Sequence, residues 1–236
     1  MRLNTESRQT IQRAINFIFA PAPSLEPLKV VDFMKSLQEE GLEFQSSNRS
    51  QTRVDLERTD RPLKLSLGVV GPQVAQILLS AEDPVSDLIL FEKEFDSVCR
   101  AYVSVWQQPL QLLLRDATLT CLYACDDCDH SFKYLWQHLL GQEGSEFGQL
   151  GKPILGGGLR FVMPPTPDEK PEPTTVEVKV ESFLRDTSKL FVQTQFVWPQ
   201  PTGSEFFGKS HELLQRIEDY VDKKVIPFIA HQKGNP

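Results

Sequence analysis

The sequence predicts an α+β fold: antiparallel curved sheet or sheets with helices on one face. Three observations predict it. Apolar and polar residues alternate through a series of short segments, which is the period of a half-buried strand. Two long segments, about 86–106 and 209–229, instead carry apolar stripes at helical spacing. The elements also recur in one order, β-α-β-β-β-α, first over 11–106 and again over 115–229. These are the two expected units of a duplicated chain, packed as one body.

The elements follow in sequence. In 11–19, Ile11, Ile15, Phe17 and Phe19 share a parity with one polar member, Arg13, so the segment reads as a strand. Pro21 and Pro23 end it. Ser24 is positioned to cap a helix over 25–39, where Leu28, Val31, Met34 and Leu37 recur, and Gly41 supplies its stop. One strand is expected over 43–58, with a bend near Ser47 and Asn48. A second covers 62–70 (Leu63, Leu65, Leu67, Val69), and a third follows the Gly71-Pro72 turn. Leu88, Phe91, Phe95, Val98, Tyr102 and Val105 form the stripe of the 86–106 helix, which Pro109 terminates.

In the second half, Ala117, Leu119, Cys121 and Tyr123 alternate as a strand, and Phe132, Leu135, Trp136 and Leu139 mark a helix over 129–140. Gly156–Gly158 lead into a strand over 159–163. They read as a flexible approach to it, since no Gly-Lys-Ser/Thr and no helix follows as a phosphate loop requires. Proline-rich 164–173 is a solvated loop. Strands over 176–180 and 190–198 follow, and the last helix carries Leu214, Ile217, Val221, Val225 and Phe228.

Composition narrows the function classes. Of 236 residues 40% are hydrophobic and 24% charged, ordinary values for a globular chain. The formal net charge of −7 works against binding phosphate backbones or anionic lipid. The best basic stretch, Arg49, Arg53, Arg58, Arg61 and Lys64, is interleaved with Asp55, Glu57 and Asp60 and reads as a mixed solvated strand face. The N-terminal MRLNTESRQT has no apolar signal-peptide core, and no run reaches the ~18–20 apolar residues that span a bilayer. The expectation is a cytoplasmic protein with reduced thiols.

The repeated strand-helix-strands-helix order resembles the TATA-binding-protein-like fold, a duplicated unit forming a saddle. It also resembles a sporadically distributed bacterial family of about this length whose function is unknown. The resemblance covers most of the chain and rests on no diagnostic motif. It implies a sheet with one open face.

Two constellations could carry chemistry or recognition. Cys121, Cys125 and Cys128 have the CxxxCxxC spacing with which radical-SAM enzymes hold an iron–sulfur cluster. Here Asp127 stands where that family has an aromatic residue, and too little chain follows for its barrel. A zinc site from Cys121, Cys125, Cys128 and His130 is chemically more reasonable. The competing reading makes the cysteines small hydrophobes and turn residues, with Asp127 or Asp129 capping the next helix. No cofactor is expected, and zinc is the one candidate. In the second constellation, Trp198, Phe206 and Phe207 flank a Pro/Gly loop, either docked on their own domain or offered to a partner as aromatic anchors.

No complete catalytic motif is present. The favoured reading is a non-enzymatic protein-binding or regulatory module that binds a protein partner or a second copy of itself on the open sheet face. The alternatives are a metal- or thiol-dependent enzyme or redox sensor built on the cysteine cluster, and a saddle-type nucleic-acid binder.

Overall fold

Alternating burial sets the architecture. Ile15, Phe17 and Phe19 are buried on one side of the first strand, Leu63, Leu65 and Leu67 on the same side of another, and Leu190, Val192 and Phe196 on the same side of a third. A computed structural model describes residues 2–82, 87–126, 128, 130–142, 149–168, 172–199, 203, 207 and 211–230. The strands are β1 (Arg2–Ala20), β2 (Ser46–Arg49), β3 (Arg53–Glu57), β4 (Leu63–Gly71), β5 (Val74–Glu82), β6 (Gln111–Asp126), β7 (Gly158–Met163), β8 (Thr175–Ser182) and β9 (Lys189–Trp198). They form one nine-stranded sheet in the order β2-β3-β4-β5-β1-β6-β9-β8-β7, and every pairing is antiparallel. The two longest strands, β1 and β6, meet at its middle. Outward from that seam one wing runs β5, β4, β3, β2 and the other β9, β8, β7.

The helices lie on the face that carries the buried side chains. They are α1 (Pro27–Glu39), α2 (Leu88–Trp106), α3 (Ser131–Lys133) continued by a π-helical turn over Tyr134–Leu139, α4 (His211–Tyr220) continued by a π-helical turn over Val221–Val225, and α5 (Ile226–Ala230). Over the first wing, Phe95 of α2 meets Phe17 edge-on at 4.8 Å, and Phe33 of α1 packs on Trp106 at 5.2 Å. Over the second wing, Phe196 meets Tyr220 at 5.3 Å, and the Tyr134 hydroxyl donates to the Ile229 carbonyl at 2.7 Å. One continuous apolar cluster joins both wings. Each fully buried Phe or Leu in it contributes about 1.5–3 kcal/mol of transfer free energy.

Local chemistry explains where the elements depart from expectation. β1 starts nine residues before the expected 11, at Arg2, because its polar first half pairs through backbone groups with β6. Bulges between Asn4 and Gln9 and between Thr10 and Gln12 adjust the register there, and they hide the strand from a search for alternation. The expected 43–58 strand is a hairpin, β2 and β3, turning at 50–52 rather than near Ser47 and Asn48; the Ser50 N–H donates to the Arg53 carbonyl at 2.8 Å. Helix α1 starts at Pro27. Ser24 Oγ bonds the Glu26 side chain and not the helix. Asp87 caps α2, accepting from the Leu90 N–H at 2.7 Å, and Gln107 ends it in the left-handed region at φ 48°. The residue capping α3 is His130. Asp127 and Asp129 lie outside the described residues.

The glycines 156–158 are not a flexible approach. A Cβ on Gly156 would sit 2.5 Å from Leu184 Cδ2, one on Gly157 2.7 Å from the Phe132 ring, and one on Gly158 2.4 Å from the Val180 carbonyl. Gly158 is required because its contact is with the backbone of β8, and Gly157 packs on the Phe132 ring, whereas at Gly156 the contacts are side-chain ends that can move aside. Among the described residues no helix is long and apolar enough to cross a membrane.

Candidate functional site

Strand parity sends the other set of side chains to the face without helices. On β6 these are Asp116, Thr118, Thr120 and Leu122; on β9, Phe191, Gln193 and Gln195; on β1, Gln12, Ala14, Asn16 and Ile18. Polar side chains outnumber apolar ones, as on the wet side of an antiparallel sheet. The strand register places Leu78, Asn16, Asp116 and Val197 in one row across the seam. Towards the first wing the surface becomes a groove of about 500 Å³, lined by Asn48, Asp55, Lys64, Ser66, Leu78 and Ser80. Leu78 joins the groove to the seam, since it is paired with Asn16.

Two polar networks cross the seam. The first is self-satisfied. Lys179 Nζ donates to Gln193 Oε1 at 3.2 Å, Gln193 Nε2 to Thr120 Oγ1 at 3.4 Å, and Thr120 Oγ1 to Gln12 Oε1 at 3.2 Å. The second has an excess of acceptors. Asn16 Nδ2 donates to Asp116 Oδ2 at 2.6 Å, and Gln195 Nε2 donates to Asp116 Oδ1 at 3.3 Å. Both donors are neutral. Burial pushes the Asp116 carboxyl up, and the two amide hydrogen bonds oppose that shift. Asn16 is 9% exposed, and its Oδ1, with no hydrogen-bond partner among the described residues, is a second buried acceptor beside the carboxylate.

Four cations of this face are already engaged. Arg53 pairs with Asp55 at 2.8 Å, Lys64 with Glu82 at 3.1 Å, and Arg160 and Lys179 with Glu177 at 2.7 and 3.2 Å. Among the described residues the partners of Asp116 are neutral amides, and no ion pair involves it. Such a site suits a donor that carries its own charge, such as an ammonium or guanidinium.

The residues singled out from the sequence fall elsewhere. Trp198 is 1% exposed and lies on the helix side, with the Arg115 and Arg216 guanidiniums 5.8 and 5.4 Å from its ring; it has no surface to offer a partner. Arg115 is fixed in turn by a bidentate pair with Glu172 at 2.6 and 2.7 Å. Phe207 is docked on its own domain, against Phe17, Phe19 and Tyr102 at 5.9, 5.7 and 5.5 Å. Phe206 lies outside the described residues.

The zinc set is divided. Cys121 points into the helix side, its Sγ 3.6 Å from Thr10 Oγ1, and burial pushes its thiol up against the pull of Arg8. Cys125 and Cys128 do come together: Cys128 Sγ is 3.6 Å from the Cys125 carbonyl, and burial, then the facing Cys128 thiol, push the Cys125 thiol well up. His130 uses both ring nitrogens. Nδ1 accepts from the Phe132 N–H and Nε2 meets the Leu155 carbonyl, each at 3.1 Å. Among the described residues no three His, Cys, Asp or Glu side chains gather as metal ligands.

The basic stretch is committed as well. Arg49 donates to the Leu25 carbonyl at 3.0 Å, Arg58 pairs with Asp60 at 2.6 Å, and Arg61 pairs with buried Glu94 of α2. Asn16, Asp116 and Gln195 escaped the sequence reading. Their parity within their strands was a visible signal, but which of them meet depends on strand register.

The sequence matches no protein-family model and no curated protein. Among solved structures, the regulatory subunit of aspartate kinase from Thermus flavus aligns over 92% of this chain and 96% of its own, at 9% identity and a TM-score of 0.24.

Proposed function

We propose that this chain is a non-catalytic binding or regulatory module that receives a protein partner on the sheet face without helices, with a basic side chain of the partner seated at Asp116. The observation that carries this reading is the surplus of acceptors at the seam: a carboxylate held by two neutral amides, beside a buried amide oxygen without a donor. A partner's ammonium or guanidinium would pair with the carboxylate, and the adjoining groove offers hydroxyls, amides and balanced charge to the polar residues around it. A buried charge-assisted hydrogen bond of this kind fixes partner choice more than it adds affinity.

The mirrored strand order about the β1–β6 seam supports reading the two halves as repeats of a saddle of the TATA-binding-protein-like type. The pairing of Arg53, Arg58, Arg61 and Lys64 with carboxylates favours a protein partner over nucleic acid. We read the module as working without a resident cofactor. Zinc content of protein purified under reducing, oxygen-free conditions, beside Cys125→Ser, checks that point.

The test uses blocked polar decapeptides with one central Arg, and the same peptides with citrulline in its place. Backbone NMR shifts should concentrate on β1, β6 and β9 for the Arg peptides and be absent for citrulline. Asp116→Asn should weaken binding about tenfold. Equal binding of both peptide sets, or shifts on the helix side, would remove the reading.

A further inference from the structure

The two outer edges of the sheet differ in a way that assigns a second surface. The β2 edge is four residues, Ser-Ser-Asn-Arg, all exposed, the kind of short polar edge that resists pairing. The β7 edge is Gly-Leu-Arg-Phe-Val-Met, and among the described residues no strand lies outside it. Exposed apolar side chains cluster along it: Val162 at 56% on β7, Phe228 at 57% against Phe161, and Leu155 and Leu184 at 77% and 68% near its start. Exposed apolar groups along an unpaired strand mark an interface.

The ladder phase says which backbone groups are free. The Ser182 N–H donates to the Gly157 carbonyl at 3.0 Å. In an antiparallel ladder the bonded pairs then recur at every second residue, so Leu159, Phe161 and Met163 bond to β8. Gly158, Arg160 and Val162 turn their N–H and C=O groups outward.

We propose that a second copy of this chain pairs with this edge, β7 against β7 and antiparallel, about a two-fold axis at Phe161. That register sets Arg160 opposite the partner's Val162, Leu159 opposite the partner's Met163, and the two Phe161 rings opposite each other. The outward groups of Arg160 and Val162 exchange hydrogen bonds with their mates. Moving the register by two residues in one direction sets Arg160 against its own copy, a like-charge pair. Moving it in the other sets Pro164, which has no N–H to give, against Arg160, whereas in the chosen register Pro164 meets only Gly158 at the end of the strand. In the chosen register Arg160 lies opposite the mate's apolar Val162 and meets no like charge across the interface, while Glu177 holds it within its own chain. The pairing is isologous, so it closes at two copies. It leaves the Asp116 seam free, so its failure and the failure of the partner-binding reading are separable.

Sedimentation equilibrium on the full chain, over a hundredfold range of concentration, tests it. The wild type is expected to dimerise. Val162→Lys places an ammonium beside Glu177 in its own chain, where it is tolerated, and opposite the mate's Arg160, where it is repelled. It should raise the dimer dissociation constant at least about tenfold without lowering the unfolding temperature. Hydrogen exchange gives the second readout. The Arg160 and Val162 amides should gain protection with concentration, while that of Phe161 stays protected throughout. A wild type that is monomeric at every concentration overturns the proposal, as does a dimer that Val162→Lys leaves intact, or exchange at Arg160 and Val162 that ignores concentration.

Discussion

The two wings start from the same seam and finish differently. In the first, four strands lie beyond β1, the last of them short and hydrophilic, and α1 and α2 lie above them. In the second, three strands lie beyond β6, and the sheet ends on an apolar strand beside an exposed phenylalanine. Among the described residues neither outer strand has a further neighbour, and the two edges differ in composition, polar at β2 and apolar at β7. Strand order can therefore be mirrored while the surface consequences are not. An edge is governed by the composition of the last strand and not by the symmetry of the arrangement.

Substitutions can break or sharpen that contrast. The largest effect is expected in the second wing's core. Trp198→Ala removes the ring lying against Arg115 and Arg216 and should cost about 3–5 kcal/mol in chemical denaturation. The next effect sets two strand glycines against each other. A Cβ at Gly158 would meet the Val180 carbonyl at 2.4 Å, whereas one at Gly68 of β4 finds its nearest neighbour at 3.5 Å. Gly158→Ala should cost about 1–3 kcal/mol and loosen β7, and Gly68→Ala should stay within about 0.5 kcal/mol. If both are neutral, the second wing is looser than its packing implies.

The seam between the wings titrates. Burial raises the Asp116 carboxyl, so its protonated form is the one the fold prefers. Its contribution to stability is complete below the ordinary carboxylate range and is lost as pH rises through the raised value. Wild type should thus lose stability relative to Asp116→Asn as pH climbs from about 4 towards neutrality. Parallel thermal melts across that range check the sign, and parallel curves would mean the amides compensate fully. The smallest effects are the exposed pairs at the two outer margins. Arg160→Ala and Arg53→Ala should each barely move the unfolding transition, with the difference from wild type shrinking in high salt.

Much of this fold was legible because burial imposes a period. The alternation of Leu63, Leu65 and Leu67 and the stripe from Leu88 to Val105 each placed an element within two or three residues. What stayed hidden depends on contacts between distant segments. The first half of β1 has no alternation, since backbone pairing with β6 holds it. The hairpin at 50–52 was hidden because polar residues serve equally in an edge strand and in a turn. Gly156–Gly158 looked flexible because sequence shows a missing side chain but not the neighbour that fills its place. The seam is the sharpest case: Asn16 and Asp116 lie 100 residues apart, and only register joins them. The aromatics Trp198 and Phe207 stood out beside a Pro/Gly loop as either docked groups or anchors, and the core uses both.

The position of β1 has a consequence for how the chain is made. Its first partner, β5, pairs Gln12 with Glu82, and its second, β6, pairs Arg2 with Asp126. During vectorial synthesis the segment carrying Ile15, Phe17 and Phe19 leaves the ribosome long before either partner. Once β5 arrives, a half-sheet can close with β1 as a bare, apolar margin until β6 emerges. The nascent chain therefore passes through a stage whose most adhesive edge is the one that becomes the centre of the finished molecule. Stalled or truncated chains ending after α2 should be the species most prone to aggregate and most in need of a chaperone.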